Sequence, residues 1–197
     1  MASPAQRIAS FDELYQAIQA LPPGLTGEIL EPGVIRTMGR PGGAHRYSAR
    51  AILRSLNGDD AWDGGDGWWF EQEAEIRFLQ IRLAVPDISA WRVGAGRPLP
   101  PAFVLENPIT QRPDFCCELL SESTKKSDRE IKVPLYAAAG VEWLWLVDPE
   151  AHIVEILRTQ AGTVETVDTV AGAVRRPIPP FSSVVDTSRW WVTSVEG

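Results

Sequence analysis

A single acidic residue interrupts an apolar run that otherwise has the composition of a buried strand. The segment PDFCCELLSESTKKSDREIK, residues 113–132, places Glu118 in the middle of FCCELL. If residues 115–120 form a strand, Cys116, Glu118 and Leu120 share one face. Burying an ionised carboxylate costs several kcal/mol unless a cation or a hydrogen-bond donor replaces the lost water. We therefore expect a partner to face Glu118.

A second acid occupies a similar setting. Asp87 follows Pro86 in LAVPDISAWR, whose apolar and aromatic content predicts an adjacent strand. Two such carboxylates can bind one divalent cation, because Mg²⁺ prefers oxygen ligands, and a nearby lysine could offset charge on a phosphate. The simpler alternative is an ion pair between Glu118 and an arginine. The residues alone leave both interpretations open.

Asp114 is a competing candidate because it belongs to a second PD dipeptide. Asp114 and Glu118 lie four residues apart on one predicted strand, which separates them by about 13 Å. This distance is too great for one ion, so we place Asp114 at the end of the strand.

The composition describes one globular domain. The chain has 197 residues, of which 44% are hydrophobic and 23% charged, enough for a single core and untypical of disorder. Its net charge of −7 argues against coating nucleic acid or anionic membranes by charge alone. A partner that carries phosphate would need a local basic patch or a bridging metal ion.

Two further features concern location. Cys116 and Cys117 are adjacent and would point to opposite faces of a strand, which favours buried, reduced thiols over a disulfide. The N-terminal segment lacks the apolar stretch of a secretory signal, and no run of about 18 apolar residues could span a membrane. We predict a cytoplasmic protein.

The pattern of elements predicts an α/β fold with a mixed β-sheet flanked by helices. A capping box at Ser10 and Glu13 opens a first helix, and a hairpin turns at residues 31–33. Further predicted elements are a helix from near Ala44 to residues 57–58, a solvated loop at 57–67, a strand pair at 68–92, a long connection at 94–113, a helix ending at Gly140, and paired strands at 143–148 and 152–158.

From Val85 to Arg158 the chain resembles the Uma2 family, a branch of the PD-(D/E)xK nuclease superfamily. The N-terminal part agrees more loosely, through GEILEPG at 27–33 and through His45. The motifs that carry the resemblance are VPDIS at 85–89, PDFCCELLSESTKKSDREIK at 113–132, LYAAAGVEWLWLVDPE at 135–150 and IVEILR at 153–158.

The resemblance implies a restriction-endonuclease-like core that hydrolyses phosphodiester bonds of nucleic acid, with DNA as the expected partner and Mg²⁺ or Mn²⁺ as the cofactor. It implies one domain over 1–197, with an N-terminal helix and hairpin at 10–40, a nuclease core at about 44–160 and an extension at 161–197. Asp87 and Glu118 would be the catalytic acids. The expected metal ligands are Asp87, Glu118, the backbone carbonyl of Leu119 and, as an additional candidate, Glu28.

The catalytic lysine departs from the motif, because Leu120 stands two positions beyond Glu118. In Uma2-like sequences the lysine is taken to come from the following helix, which makes Lys132 the candidate. A capping box at residues 127–130 would start that helix at Asp128 and put Asp128 and Lys132 on one face. Pro134 then falls in the interior at a cost of about 3 kcal/mol, unless the helix kinks or begins near Ile131.

The loop after the predicted strand supplies candidate substrate contacts. Lys125 and Lys126 form the strongest local basic pair, and the hydroxyls of Ser121 and Thr124 could bind phosphate or only cap the helix. His45 could contact substrate or be structural. Among the eight tryptophans, those at 68, 69, 143 and 145 are predicted core residues, and those at 190 and 191 could form a homodimer surface.

Two alternatives to a nuclease remain open at this level. Leu120 and the acidic net charge are compatible with a nuclease fold that binds nucleic acid or a protein partner without turnover. The acids could also be a structural pair, in which case removing either would change folding stability far more than metal affinity.

Overall fold

The computed structural model describes residues 9–39, 41–99 and 106–192. The middle of the predicted connection, residues 100–105, lies outside this range. Helices α1 and α2 form where the sequence predicts them, and Ser10 and Glu13 make the expected capping box. The helical elements are α1 Phe11–Gln19, α2 Gly43–Ser55, α3 Lys125–Ser127, a π-helical turn Asp128–Lys132, α4 Val133–Ala139 and a 3₁₀ turn Thr187–Arg189.

A six-stranded mixed sheet forms the centre of the molecule, which confirms the predicted α/β class. Its order is β10-β9-β8-β7-β6-β3, and all neighbours pair antiparallel except β7 and β8. Its strands are β3 Gly67–Gln72, β6 Ile88–Val93, β7 Phe115–Leu119, β8 Trp143–Asp148, β9 Ile153–Gln160 and β10 Thr163–Ala171. The segment assigned to a C-terminal extension therefore supplies β10, at one edge of this sheet.

A second, antiparallel sheet carries the N-terminal hairpin in the order β2-β1-β5-β4. The predicted pairing of β3 with β6 is confirmed. Two short strands between them in the chain, β4 and β5, belong to the second sheet: they pair with each other, and β5 also pairs with β1. The bounds are β1 Leu25–Glu31, β2 Val34–Gly39, β4 Ile76–Phe78 and β5 Arg82–Ala84, and a third pair is β11 Arg175–Pro177 with β12 Val184–Asp186.

The parallel pairing of β7 with β8 requires a crossover, which α3, the π-helical turn and α4 provide. The predicted capping box at Ser127 is wrong: the Ser127 hydroxyl donates to the carbonyl of Thr124, and the helix has already begun at Lys125. In the wider turn, the Val133 N–H donates to the Asp128 carbonyl five residues back. Pro134 comes after this turn, in the first turn of α4, which is the part of a helix that tolerates proline best.

The alternation predicted for β7 places its neighbouring cysteines in different cores, both as free thiols. Cys117 packs with Phe115 and Trp145 against α2 and the C-terminal segment, and Cys116 packs with Tyr136 under α4. Within the described residues, no helix is long and apolar enough to cross a membrane.

The expectation that Trp190 and Trp191 form a dimer surface is wrong. Both side chains are buried, and Trp190 packs against Trp145 with ring centroids 5.8 Å apart. Ser48 on α2 donates to the Trp190 carbonyl at 2.7 Å. Burial of these large aromatic side chains stabilises the packing of the C-terminal segment against the central sheet. The predicted core positions Trp68 and Trp145 are buried, and Trp69 and Trp143 pack at the edges of the cores.

Candidate active site

Asp87 lies one residue before β6 and is held through both carboxylate oxygens. Its Oδ1 is 2.6 Å from Nε2 of His45, at the start of α2. Its Oδ2 accepts a hydrogen bond from the backbone N–H of Leu119, also at 2.6 Å. The second contact joins the entrance of β6 to the end of β7, and it brings Asp87 to the residue that follows Glu118.

Glu118 projects from β7 into a buried position, and its partner is a lysine instead of the arginine of the simpler interpretation. Lys132 Nζ donates to Oε2 of Glu118 at 3.1 Å, and the Tyr136 hydroxyl donates to Oε1 at 2.5 Å. Lys132 and Tyr136 are four residues apart on consecutive helical elements, so their side chains reach the strand together. The catalytic acid and lysine implied by the resemblance are therefore in direct contact.

Three carboxylates share the Lys132 ammonium. Besides Glu118, the ammonium lies 3.0 Å from Oε1 of Glu28 on β1 and 3.5 Å from Oδ1 of Asp128. All four side chains are buried, with relative exposures of 1–4%. Glu28 also accepts a hydrogen bond from the backbone N–H of Val85 at 2.9 Å, which connects the second sheet to the chain entering β6.

The pKa values reflect this burial. Removal from water raises the pKa of Glu118 well above its usual value; Lys132 opposes this, while Asp87, Asp128 and Glu28 add to it. Burial also raises the pKa of Asp128. For Lys132, burial alone would lower the pKa, but the surrounding carboxylates, Glu118 first, outweigh it and hold the pKa well above its usual value. Lys132 is therefore charged at neutral pH.

His45 is held at Asp87 in the same way. Burial alone would lower its pKa, but the hydrogen bond and the negative charge of Asp87 outweigh that effect and raise it. The charged imidazole is thus favoured beside Asp87.

The chemistry of the donors fits a hard divalent cation. Asp87 and Glu118, together with Glu28 and Asp128, bring four carboxylates to one place, and Lys132 neutralises only one charge. Oδ1 of Asp128 is buried and accepts no hydrogen bond from the described residues. In the described part of the chain, no three Asp, Glu, His or Cys side chains are placed to hold an ion together, because the carboxylates surround the Lys132 ammonium.

A cleft of about 910 Å³ opens onto this cluster. The start of α2 forms part of its wall, and the residue before α2 is Gly42, which has no side chain to cap the first-turn N–H groups. The charged side chains that line the cleft are mostly acidic: His45, Glu73, Asp87, Glu118, Glu122, Asp128, Lys132 and Glu150. A polyanion would therefore enter this cleft only with cations present.

The hydroxyls predicted to contact substrate lie on the wall of the cleft, but they also bind one another. Thr124 Oγ1 accepts from the Ser121 N–H at 3.3 Å and lies 3.0 Å from the Ser121 hydroxyl. Lys125 pairs with Asp148 at 3.1 Å, while Lys126 is 84% exposed, with its nearest acid, Glu130, at 3.9 Å. Lys126 thus presents the more available positive charge.

Two residues of the cluster, Asp128 and Tyr136, are not predicted as site residues from the sequence. Spacing puts Asp128 on the face of Lys132 without indicating a role, and Tyr136 lies in a predicted helix. The four-residue spacing from 128 to 132 to 136 was the available signal. Asp114, set aside on distance, is buried just before β7 and pairs with Arg97 at 3.1 Å, away from the cluster.

Comparisons with known proteins identify the family and the fold. The family model Uma2, described as "putative restriction endonuclease", matches residues 11–185. Among solved structures, a putative nuclease belonging to DUF820 from Anabaena variabilis superposes with a TM-score of 0.67 at 20% identity, covering 93% of this chain and 97% of that one. Among curated proteins, none matches. The family match spans both β1 and the whole β7–α4 unit that carry the cluster, and the chain belongs to the Uma2 family.

Proposed function

We propose that the protein is a metal-dependent endonuclease that hydrolyses phosphodiester bonds of DNA. The observation that carries the proposal is the meeting of Asp87, Glu118 and Lys132 at the floor of one cleft, although three separate elements supply them. Membership of a family described as "putative restriction endonuclease" supports the reaction class.

Asp87, Glu118 and the Leu119 carbonyl are the proposed ligands of Mg²⁺ or Mn²⁺, with Glu28 as a further candidate. A bound divalent ion would polarise a phosphate oxygen and lower the pKa of a water. His45 and the Leu119 N–H fix the orientation of Asp87, and Tyr136 fixes that of Glu118. Such second partners keep a ligand in place and raise its basicity.

Lys132 is proposed to stabilise negative charge on the attacking oxygen or on the phosphate. Its raised pKa keeps it protonated, so it donates hydrogen bonds and does not act as a base. The first-turn N–H groups of α2, which line the same cleft, are suited to a neighbouring phosphate. His45, Ser121, Thr124, Lys125 and Lys126 are the proposed contacts to the nucleic-acid backbone.

The test is cleavage of supercoiled plasmid, single-stranded DNA and RNA with Mg²⁺, Mn²⁺ or chelator. Wild type should cut DNA only with metal, and Asp87→Ala should abolish cutting. Asp63→Ala, which removes an exposed acid outside the cleft, should cut like wild type. Cutting that persists in Asp87→Ala, or in chelator, would contradict the proposal.

A second candidate is a binding module without turnover, which Leu120 and the acidic cleft favour. For this candidate, the protein should form a salt-sensitive complex with labelled DNA, and Asp87→Ala should form the same complex. Neither protein should cleave DNA under any condition. Residence in the cytoplasm and formation of a homodimer both stay predictions. The proposed dimer surface of Trp190 and Trp191 is not available, because both side chains are buried.

A further inference from the structure

Asp128 differs from the other acids of the cluster in its hydrogen bonding. Glu28, Asp87 and Glu118 each accept at least one hydrogen bond at 3.1 Å or less. Oδ1 of Asp128 accepts none from the described residues, although Asp128 is only 2% exposed. Its nearest cation is the Lys132 ammonium at 3.5 Å, which is already closer to Glu28 and Glu118.

A buried carboxylate oxygen without a donor is costly, because nothing replaces the water that it lost on folding. Burial raises the pKa of Asp128, and this effect outweighs the opposing charge of Lys132 and a hydrogen bond with Thr124. The residue also lies on a π-helical turn, a local geometry that is rare and frequently found at functional sites. The fold thus maintains an unfavourable arrangement at the wall of the cleft.

Charge indicates what this oxygen is suited to bind. Four carboxyl groups lie around one ammonium, and the only other cationic group at the cluster is His45 beside Asp87, so acidic groups outnumber basic ones there. An anionic substrate group would increase the repulsion, whereas a divalent cation would remove most of it. A carboxylate oxygen without a hydrogen-bond donor is also the type of ligand that Mg²⁺ and Mn²⁺ prefer.

We infer that Asp128 is a carboxylate ligand for a divalent cation, additional to Asp87 and Glu118. Binding would draw the three side chains together around the ion, because within the described residues no three acids are already placed to hold one. The inference rests on the proposed function, since it concerns the same cleft. It also assigns a role to the π-helical turn, which carries Asp128 and Lys132 into the cluster on one face.

The test is calorimetric titration of Mn²⁺ into the full chain, which needs no turnover. Asp128→Asn keeps the size of the side chain and removes its charge, and we expect its Mn²⁺ affinity to fall by roughly tenfold or more. The matched control is Glu130→Gln, two residues along the same turn, whose side chain is 64% exposed. The control should bind within about twofold of wild type, since an exposed single charge has little effect.

A second readout separates a ligand from a structural residue. Without metal, Asp128→Asn should melt at or above the temperature of wild type, because three buried carboxylates share one ammonium and the most distant of the three loses its charge. With Mn²⁺ its upward shift should be smaller. A lower melting temperature without metal, combined with unchanged Mn²⁺ affinity, would overturn the inference. If Asp128→Asn does not fold, Asp128→Ser carries the same expectations, and Asp128→Glu should restore part of the binding.

Glu118→Gln distinguishes failure of this inference from failure of the proposed function. If Glu118→Gln loses Mn²⁺ binding while Asp128→Asn keeps it, only the assignment of Asp128 is wrong. If wild type itself neither binds Mn²⁺ nor gains stability from it, the metal-dependent function is wrong, and the assignment of Asp128 falls with it.

Discussion

Nζ of Lys132 lies 3.1 Å from Oε2 of Glu118, although the two residues are 14 positions apart and belong to different elements. The motif would place a lysine two residues after the acid, but this chain has Leu120 at that position. Leu120 is buried in the core beneath α4. The crossover returns the chain to the end of β7, so a lysine from the helix reaches the same acid. The contact explains how the site retains an ammonium without the usual spacing.

Replacing Lys132 by methionine should destabilise the fold. The change leaves Glu28, Glu118 and Asp128 buried without their cation, and breaking a buried ion pair from one side costs about 3–5 kcal/mol. Chemical denaturation should show this loss at pH 8. Lys126→Met is the control, since Lys126 is 84% exposed and its loss should change stability by less than about 0.5 kcal/mol.

The loss in Lys132→Met should shrink as the pH falls. Burial raises the pKa of Glu118 and Asp128, so between the unfolded and folded pKa values the folded state holds protons that the unfolded state has released. Stability therefore rises as the pH falls through that interval. Removing Lys132 takes away the opposing charge and widens the interval. A deficit that is the same at pH 8 and pH 5 would show that these carboxyls are not the cause.

Tyr136→Phe should weaken the site more than its size suggests. The change removes the hydroxyl that donates to Oε1 of Glu118, with an expected loss of about 1.5–3 kcal/mol of stability. Mn²⁺ affinity should fall by roughly 10–100-fold, as for other residues that orient a ligand. Tyr15→Phe is the matched control, because Tyr15 donates to Glu75 at 2.6 Å away from the cleft. Equal effects of both variants on Mn²⁺ affinity would rule out a positioning role.

Asp59→Asn should destabilise the protein at neutral pH but not in acid. Asp59 accepts hydrogen bonds from the backbone N–H groups of Ser182 and Ser183 and from the Ser182 hydroxyl, at 2.6–3.0 Å. We expect a cost of about 2 kcal/mol, measured by denaturation. Asp63→Asn, in the same loop but exposed, should be neutral.

The pH dependence of Asp59 has the opposite sign to that of the buried cluster. Burial alone would raise its pKa, but the bonds from Ser182 and Ser183 outweigh that effect and hold it below the ordinary 3.8. The stabilisation is therefore present above 3.8 and is lost as the pH falls through the lower, folded pKa. If wild type and Asp59→Asn still differ at pH 2.5 as they do at pH 7, charge is not the source.

Gly27→Ala should destabilise the contact of α1 with β1. A Cβ at Gly27 would lie 2.8 Å from Cγ1 of Ile18, so the Ile18 side chain or the helix that carries it must shift, at about 1–3 kcal/mol. Gly39→Ala on β2 is the control, since its Cβ would meet nothing within 4 Å. Repeating the change in an Ile18→Ala background should remove most of the cost, and a persistent cost would point to the strand backbone instead.

Local patterns were sufficient for much of the fold. The capping box at Ser10, the alternation along β7 and the left-handed Gly140 that ends α4 follow from interactions within a few residues, which composition and spacing encode. The same reasoning failed at Ser127, where a capping pattern lies inside a helix that has already begun. Sequence alone does not show the wider turn that precedes Pro134.

The sequence determined by itself which residues could do chemistry: an acid in an apolar strand, a second acid before the neighbouring strand, and a lysine within reach on the next helix. Only the tertiary structure decided which of them meet. Glu28 lies on a separate sheet, and the crossover places Tyr136 and Asp128 against Glu118 and Lys132. Their roles therefore depend on contacts between elements that are distant in the chain. The physical reason is that spacing sets the face of an element, whereas packing sets which faces come together and which charges lose their water.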